Sequence, residues 1–155
     1  MKIQWKKLIV CILIPLAVGG LSALLTRGSM EAFGQLNQPP LSPPAWLFPV
    51  VWTVLYVLMG VASYLILTAG VPARAQTALS VYGVQLFFNF FWSIIFFNMQ
   101  RYTFAFVWLV ILWLLILLTT VLFYRIKRTA GYLMIPYLVW VTFAGYLNLA
   151  IAVLN

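Results

Sequence analysis

The charges of this chain are confined to the ends of long apolar runs, and this pattern restricts the fold more than any single motif. Apolar residues make up 66% of the 155 residues, and charged residues make up only 6%. A soluble domain carries about 25% charged residues, because water has to solvate its surface. Nine cations and one carboxylate cannot cover a soluble domain of this size. The sequence therefore predicts an integral membrane protein whose surrounding solvent is lipid.

Five apolar runs are close to the length of about 20 residues that a helix needs to cross a bilayer. They are predicted at approximately 8–26, 44–67, 78–98, 103–124 and 132–154. We expect the first run to be a retained span rather than a cleaved signal peptide, because it has full bilayer length and lacks a clear cleavage site. The whole chain, 1–155, is predicted to form one all-α domain, a bundle of five transmembrane helices.

The connection between the first two spans, 27–43, is the only long one. It ends in a proline-rich stretch, and prolines favour extended backbone both at their own position and at the residue before them. We therefore expect an ordered lid at the membrane surface. Pro44 follows it and is predicted to begin the second helix, where its missing N–H costs nothing.

The cations are divided unequally between the two membrane faces. With five spans, the amino terminus shares a face with the second–third and fourth–fifth connections. That face collects seven of the cations: Lys2, Lys6, Lys7, Arg74, Arg125, Lys127 and Arg128. The other face has Arg27 and Arg101, together with Glu31. The bias towards positive cytoplasmic loops predicts a cytoplasmic amino terminus and an external carboxyl terminus. Cations placed at the ends of spans are typical of a protein of a bacterial cell membrane, whereas nucleic-acid binding requires a basic face on a folded surface.

Most kinds of catalytic site are excluded by composition. Glu31 is the sole carboxylate, Cys11 is the sole cysteine, and the chain has no histidine. A Ser-His-Asp triad, a carboxylate pair, an internal disulfide and a His/Cys/Asp/Glu metal site therefore cannot be built. Ionisable side chains are also missing from the middle of every span, which argues against ion-coupled transport.

Neutral polar and aromatic side chains instead recur at helical spacing on four of the five spans. These stripes are Gly19 and Ser22 on the first span; Trp52, Tyr56, Met59 or Gly60, and Ser63 on the second; Tyr82, Gln85, Asn89, Trp92, Ser93 and Phe96 on the third; and Tyr137, Trp140, Ala144 and Asn148 on the fifth. Two interpretations remain open. The stripes can hold the helices together, at about 0.6 kcal/mol per side-chain hydrogen bond. Alternatively, they can line a cavity for a flat, hydrophobic ligand in the half of the bundle nearer the lid.

Three motifs on these stripes resemble those of a known family. They are Pro44-Ala-Trp46-Leu-Phe48-x3-Trp52-x2-Leu-Tyr56-x2-Met-Gly60, Gln85-Leu-x2-Asn89-x2-Trp92-Ser-x2-Phe96-Phe, and Pro136-Tyr137-x2-Trp140-x2-Phe-Ala144-x2-Leu-Asn148. Together with five spans and a proline-rich first loop, they resemble the translocator protein family. That family includes the tryptophan-rich sensory proteins of bacteria and the peripheral benzodiazepine receptor of mitochondria.

The resemblance implies a five-helix bundle, commonly a homodimer, that binds porphyrins such as protoporphyrin IX and drug-like benzodiazepine-site ligands without requiring a cofactor. Carried over by position, the ligand-binding residues are Ser22, Trp46, Trp52, Tyr56, Gln85, Asn89, Trp92, Trp140, Ala144 and Asn148, with the first loop as a lid. The sterol pattern of mitochondrial members needs a basic residue after a tyrosine in the fifth helix. Here that tyrosine position is Leu149, and nothing basic follows Arg128.

Three functions are compatible with these observations. The first is a membrane-embedded binding protein or sensor for tetrapyrroles. The second is an enzyme that degrades photoexcited porphyrin with oxygen, in which Trp52 and Trp140 are the candidate catalytic residues because an indole can donate an electron without any ionisable group. The third is a carrier that moves porphyrin-like compounds across the membrane, although no span shows the broken-helix pattern of a transporter gate.

Overall fold

The computed structural model describes residues 2–155, and helices are the regular elements of this part of the chain. They are α1 (Trp5–Thr26), α2 (Met30–Gly34), α3 (Leu47–Leu67), α4 (Pro72–Ser93), α5 (Tyr102–Ile126) and α6 (Arg128–Leu154). A 3₁₀ turn, Arg27–Ser29, joins α1 to α2, and a π-helical turn, Ile94–Asn98, extends α4. Five helices, α1, α3, α4, α5 and α6, are long and apolar enough to cross a membrane, which confirms the predicted fold class.

The five spanning helices form a closed ring. α1 packs on α3, α3 on α6, α6 on α5, α5 on α4, and α4 on α1. Across the ring, α3 also contacts α4, so the centre is filled rather than hollow. Met59, Ile116, Met134 and Tyr137 are fully buried there, whereas the outward faces carry exposed Leu, Val, Ile and Phe. This is the inside-out arrangement expected of a bundle that has lipid on its outer surface.

Two glycines allow α1 and α3 to approach closely. A Cβ atom at Gly60 of α3 would lie 2.7 Å from the carbonyl oxygen of Cys11, and one at Gly19 of α1 would overlap the ring of Tyr56. In lipid, where apolar surface gains nothing by leaving the solvent, such small-residue contacts are a main source of helix–helix attraction. Gly19 therefore fixes the position of Tyr56 in the bundle.

The observed helix starts differ from the predicted ones by between one and six residues, and the differences at α4 and α3 have a local cause. α4 begins at Pro72, six residues before the predicted residue 78, because its first turns carry Arg74 and Gln76 and so do not read as apolar. α3 begins at Leu47 rather than at Pro44. The carbonyl oxygen of Pro44 accepts a hydrogen bond from the amide N–H of Leu47 at 3.0 Å, so the residues between them form a turn.

The connection between α1 and α3 is ordered, but only its second half is extended. The first half continues helically through α2, since the stretch Met30–Gly34 contains no proline. The hydroxyl of Ser29 donates to Oδ1 of Asn98 at 2.6 Å, and Nδ2 of Asn98 donates to the carbonyl of Leu25 at 3.0 Å. These bonds tie the end of α1 and the 3₁₀ turn that follows it to the π-helical turn at the end of α4.

The extended half is fastened to the carboxyl-terminal end of α6. The backbone N–H of Asn37 donates to Oδ1 of Asn155 at 3.1 Å, and Nδ2 of Asn155 donates back to the Asn37 carbonyl at 3.1 Å. The hydroxyl of Tyr146 donates to the carbonyl of Pro40 at 2.7 Å. Leu41, which directly follows Pro40, adopts a left-handed backbone conformation with φ 70°. The segment therefore lies across one end of the bundle, as expected for a lid.

The opposite end carries the cation-rich connections. Nη2 of Arg74, at the start of α4, donates to the carbonyl of Arg125, near the end of α5, at 3.0 Å. The backbone N–H of Gln4 donates to the hydroxyl of Tyr64 at 2.8 Å, which joins the start of α1 to the end of α3. The seven cations predicted to share a membrane face therefore belong to the same end of the bundle.

Candidate functional site

A chain of neutral side-chain hydrogen bonds runs through the centre of the bundle. The hydroxyl of Tyr56 donates to Oδ1 of Asn89 at 2.7 Å. Nδ2 of Asn89 donates to the hydroxyl of Tyr137 at 2.8 Å, and this hydroxyl donates to Oε1 of Gln85 at 2.6 Å. The bonds connect α3, α4 and α6, and all four side chains are buried. We refer to these four residues as the central polar chain.

Helix geometry explains why these residues meet. Gln85 and Asn89 are four residues apart on α4, so their amides lie one above the other on the same face. Gln85 is fully buried, with 0% of its surface exposed. A buried amide in a membrane interior is tolerated only when hydrogen bonds compensate for the loss of water. The two tyrosine hydroxyls supply most of those bonds.

Aromatic rings flank the central polar chain on the side of α3 and α6. The indole of Trp52 stacks on the ring of Tyr56, with centroids 5.5 Å apart, and meets the ring of Tyr137 edge-on at 6.1 Å. Phe48, one turn before Trp52, meets the indole of Trp140 edge-on at 5.9 Å. The two indoles proposed for redox chemistry thus both lie at the α3–α6 contact, next to the buried tyrosines.

Trp92 and Asn148 form a second polar contact, nearer the lid. Nε1 of Trp92 donates to Oδ1 of Asn148 at 3.0 Å, and Nδ2 of Asn148 donates to the backbone carbonyl of Tyr102 at 2.8 Å. Trp92 also stacks on Phe96 at 5.1 Å. This arrangement joins α4, α6 and the start of α5, so both side chains hold helices together in this structure.

The remaining predicted ligand-binding residues are placed less uniformly. Ser22 is buried on α1, and Ala144 is buried on α6. Trp46, in contrast, is 66% exposed at the start of α3. Its indole therefore belongs to the surface in this structure, as does that of Trp5, which is the distribution typical of an interfacial aromatic belt.

Two hydrogen-bond donors of the site have no protein acceptor among residues 2–155. They are Nε2 of Gln85 and Nε1 of Trp140. Both atoms are buried, and a buried donor without an acceptor costs about 1–3 kcal/mol. Unpaired donors that lie next to aromatic rings are what a binding site for a ligand with acceptor atoms requires.

Two grooves of this structure lie outside the predicted ligand site. One, of about 320 Å³, lies on the lipid-facing side of α5 and α6 and is lined by Leu109, Trp113, Val141, Thr142 and Gly145, among others. A second, of about 340 Å³, continues past Tyr146 and Leu149 to the lid prolines. Sequence analysis missed these grooves, because their lining alternates with core residues on the same helices. The space between α3, α4 and α6 is filled by the central polar chain itself.

Comparison with known proteins agrees with the motifs. Residues 11–154 match the TspO/MBR family. The chain belongs to the TspO/MBR family. It is 39% identical over 150 residues to the tryptophan-rich protein TspO of Chlorobaculum tepidum. The aligned residues cover 96% of this chain and 95% of that protein.

Other members of the family extend the comparison. Protein CrtK of Rhodobacter capsulatus is 35% identical over 140 residues, covering 88% of this chain and 85% of that protein. The translocator protein of Bos taurus is 34% identical over 139 residues, covering 88% of this chain and 82% of that protein. The resemblance inferred from three motifs is therefore confirmed, and it extends over nearly the whole chain.

Tyr137 is a residue of the candidate site that the sequence alone did not identify as such. Its spacing places it on the stripe of the fifth span, but it is not one of the predicted ligand-binding residues. In the structure it is completely buried, and it both accepts from Asn89 and donates to Gln85. The signal was present in the spacing of Tyr137, Trp140 and Ala144 on one helix face, but spacing alone does not show which member of a stripe contacts the other helices.

Proposed function

We propose that this TspO/MBR protein is a membrane-embedded binding protein or sensor for tetrapyrroles of the protoporphyrin IX type and for drug-like benzodiazepine-site ligands. The observation that carries the proposal is the central polar chain. Its buried, uncharged hydrogen bonds are flanked by Trp52 and Trp140, and it has a free donor on Gln85. Indole faces contact flat apolar surface, and the amide and indole N–H groups orient a weakly polar ligand.

The charges of the ligand favour the end of the site near the lid. Porphyrin carboxylates need cationic partners, and charge-assisted hydrogen bonds to arginine are the strongest available. On the lid side of the bundle the sequence offers Arg27 and Arg101. We therefore propose that the ring lies between the helices near Trp52 and that its carboxylates point towards the membrane surface covered by the lid. Because side chains fill this space, binding requires the lid and the indoles to move aside.

Light-dependent degradation of the bound porphyrin is the second candidate function. The observation that favours it is the stacking of Trp52 on Tyr56 and its edge contact with Tyr137. An indole beside a photoexcited porphyrin can donate one electron to it, and molecular oxygen takes that electron from the porphyrin radical anion to give superoxide. The oxidised indole then recovers an electron from the porphyrin, and the resulting porphyrin radical cation combines with superoxide, so that O2 is added to the porphyrin and the indole is regenerated. In this version porphyrin is the substrate, Trp52 and Trp140 are the catalytic residues, and no cofactor is required.

The surroundings of the protein are part of the proposal. We propose that it resides in a bacterial cell membrane, with the amino terminus in the cytoplasm and the carboxyl terminus outside. The support is the seven-to-two division of Lys and Arg between the two ends of the bundle. We also propose a homodimer, as the family resemblance implies.

One experiment separates binding from turnover. Purified protein in detergent is titrated with protoporphyrin IX in the dark, and the complex is then illuminated in air while the absorption spectrum and the products are followed. Saturable binding without a protein-dependent product supports the binding function alone. A new product that appears only with intact protein supports degradation. Absence of saturable binding contradicts both.

A further inference from the structure

Four cations are held together at one corner of the cation-rich end. The link between α5 and α6 is a single residue, Lys127, so Arg125 and Arg128 lie close to it on either side. The backbone N–H of Lys127 donates to the carbonyl of Phe123 at 2.8 Å, which fixes the link. Nη2 of Arg74 donates to the carbonyl of Arg125 at 3.0 Å and adds a fourth cation from the start of α4. We refer to these four Lys and Arg residues as the cation corner.

The chain supplies no negative side chain to balance the cation corner. The sole side-chain carboxylate of the sequence, Glu31, lies in α2 at the lid end of the bundle. Arg128 is the first residue of α6, where the helix dipole is positive as well. Cations placed this close together repel one another, and an anion between them removes the repulsion. The cation corner therefore favours binding of an anion from outside the chain.

Two exposed tyrosines lie next to the cation corner. Tyr124 directly precedes Arg125, and Tyr132 follows Arg128 by four residues and so shares its face of α6. The two phenol rings meet edge-on with centroids 5.7 Å apart, and they are 41% and 57% exposed. A Cβ atom at Gly131 would lie 2.7 Å from the Cα atom of Tyr124, so the two helices are in close contact at this level. Tyrosines at the ends of spans place their hydroxyls at the depth of lipid headgroups.

Deeper in the membrane, the same two helix faces become apolar. On α6, Ile135 and Val139 continue the face of Tyr132 at spacings of three and four residues, and both are exposed. On α5, exposed Leu118 lies two turns before Arg125 on the same face. The order from the surface inwards is therefore cation, phenol and hydrocarbon. A phospholipid has its phosphate, ester carbonyls and acyl chains in this order, whereas a soluble anion matches only the first group.

We propose that α5 and α6 bind one anionic phospholipid, with its phosphate at the cation corner and an acyl chain along Ile135 and Val139. The guanidinium groups of Arg125 and Arg128 donate to the phosphate oxygens, and the tyrosine hydroxyls donate to the ester carbonyls. Phosphatidylglycerol keeps the net negative charge that this site attracts. Phosphatidylcholine carries its own cation, which the corner repels. The site lies at the end of the bundle opposite the lid and does not depend on the proposed function.

The first test compares lipid retention by mass spectrometry of intact protein–lipid complexes. The protein is offered equal amounts of phosphatidylglycerol and phosphatidylcholine with identical acyl chains, and we expect it to retain phosphatidylglycerol preferentially. Arg125→Gln/Arg128→Gln should lower this preference about tenfold. The control, Lys6→Gln/Lys7→Gln, removes the same charge from the start of α1 at the same end and should change the preference less than about twofold. Equal losses, or no preference in the unmodified protein, overturn the proposal.

Soluble phosphates are distinguished from lipid by competition. Inorganic phosphate and glycerophosphoglycerol, which is the headgroup without acyl chains, are added at constant ionic strength. We expect neither to displace bound phosphatidylglycerol, because neither reaches the apolar faces of α5 and α6. Displacement by either compound would show a site for soluble phosphates and would overturn the proposal.

The last test uses the unmodified protein in lipid nanodiscs, so it decides even if a double variant fails to fold. Phosphatidylglycerol with a photoactivatable diazirine in its acyl chain is cross-linked to the protein, and the labelled peptides are mapped. We expect labelling to concentrate at Ile135 and Val139 over Leu13, an exposed residue at a similar depth on α1. Equal labelling of the two helices overturns the proposal. Labelling of α1 without α6 also overturns it, since a second copy of the chain would then cover this face.

Discussion

The hydroxyl of Tyr137 donates to Oε1 of Gln85 at 2.6 Å while it accepts from the amide of Asn89 at 2.8 Å. One phenol on α6 thus pairs two amides on successive turns of α4. Neither amide has a charged partner, and both are buried where the bilayer core surrounds the bundle. At this level of the bundle, the hydrogen bonds between α4 and α6 therefore depend on one oxygen atom of Tyr137.

Replacing this tyrosine should be costly although the ring is kept. Tyr137→Phe leaves Oε1 of Gln85 and Nδ2 of Asn89 without partners, and each unpaired buried group costs about 1–3 kcal/mol. We expect a clear loss of thermal stability in detergent, larger than that of Tyr146→Phe, whose hydroxyl is exposed and bonds only to the carbonyl of Pro40. Equal Tm values for the two variants would show that the buried bonds contribute little.

Two neighbouring glycines on α1 offer a matched pair. A methyl group at Gly19 overlaps the ring of Tyr56, whereas one at Gly20 meets nothing within 4 Å. Gly19→Ala should therefore displace Tyr56, lower the Tm and weaken porphyrin binding. Gly20→Ala should preserve binding and leave the Tm unchanged or raise it, because alanine favours the helix by up to about 1 kcal/mol. If both variants behave alike, the contact with Tyr56 is unimportant.

A second pair, on α6, tests where the ligand lies. Ala144 is buried and faces the interior, while Leu149 is exposed and lines both outer grooves. Ala144→Phe should fill the interior site and reduce protoporphyrin affinity at least tenfold. Leu149→Trp fills the grooves and should leave the affinity within about twofold. The reverse order of effects, measured by fluorescence titration on correctly folded protein, would place the ligand in the outer grooves.

The redox role of the indoles can be separated from their packing role. Trp52→Phe and Trp140→Phe keep an aromatic face but remove the easily oxidised indole. If degradation is a function of this protein, we expect both variants to bind protoporphyrin with modest changes in affinity and to lose the protein-dependent product under light and oxygen. Both variants forming the same product at the rate of the unmodified protein would exclude indole electron donation.

The five spans could be predicted because the hydropathy of a span is a property of the sequence alone. The start of α4 could not, since Arg74 and Gln76 are polar but lie in its first helical turns at the membrane surface. A proline such as Pro44 is compatible with either a helix start or a turn. Here its carbonyl oxygen accepts a hydrogen bond from the amide N–H of Leu47, so the residues form a turn. Local pattern therefore gives the number of spans better than their ends.

For the candidate site, sequence pattern selected the polar and aromatic stripes but not their pairing. Gln85 and Asn89 share a face of α4 by spacing, whereas their common partner Tyr137 is about 50 positions away and is found only once α4 and α6 are packed. The exposure of Trp46 likewise depends on where α3 begins. The assignment of these residues to a ligand remains a prediction.

The direction of the central polar chain can be inverted without moving a helix. An amide group has nearly the same shape when its oxygen and nitrogen exchange places. If Asn89 and Gln85 both turn over, Gln85 donates to Tyr137, Tyr137 donates to Asn89, and Asn89 donates to Tyr56. Tyr56 then has a free hydrogen where it had lone pairs, and Gln85 has an unpaired oxygen in place of its unpaired nitrogen. The same side chains can therefore bind either a hydrogen-bond acceptor or a hydrogen-bond donor at the Tyr56 hydroxyl, beside Trp52. A change from one to the other would reverse the direction of every hydrogen bond in the central polar chain, as far as Gln85.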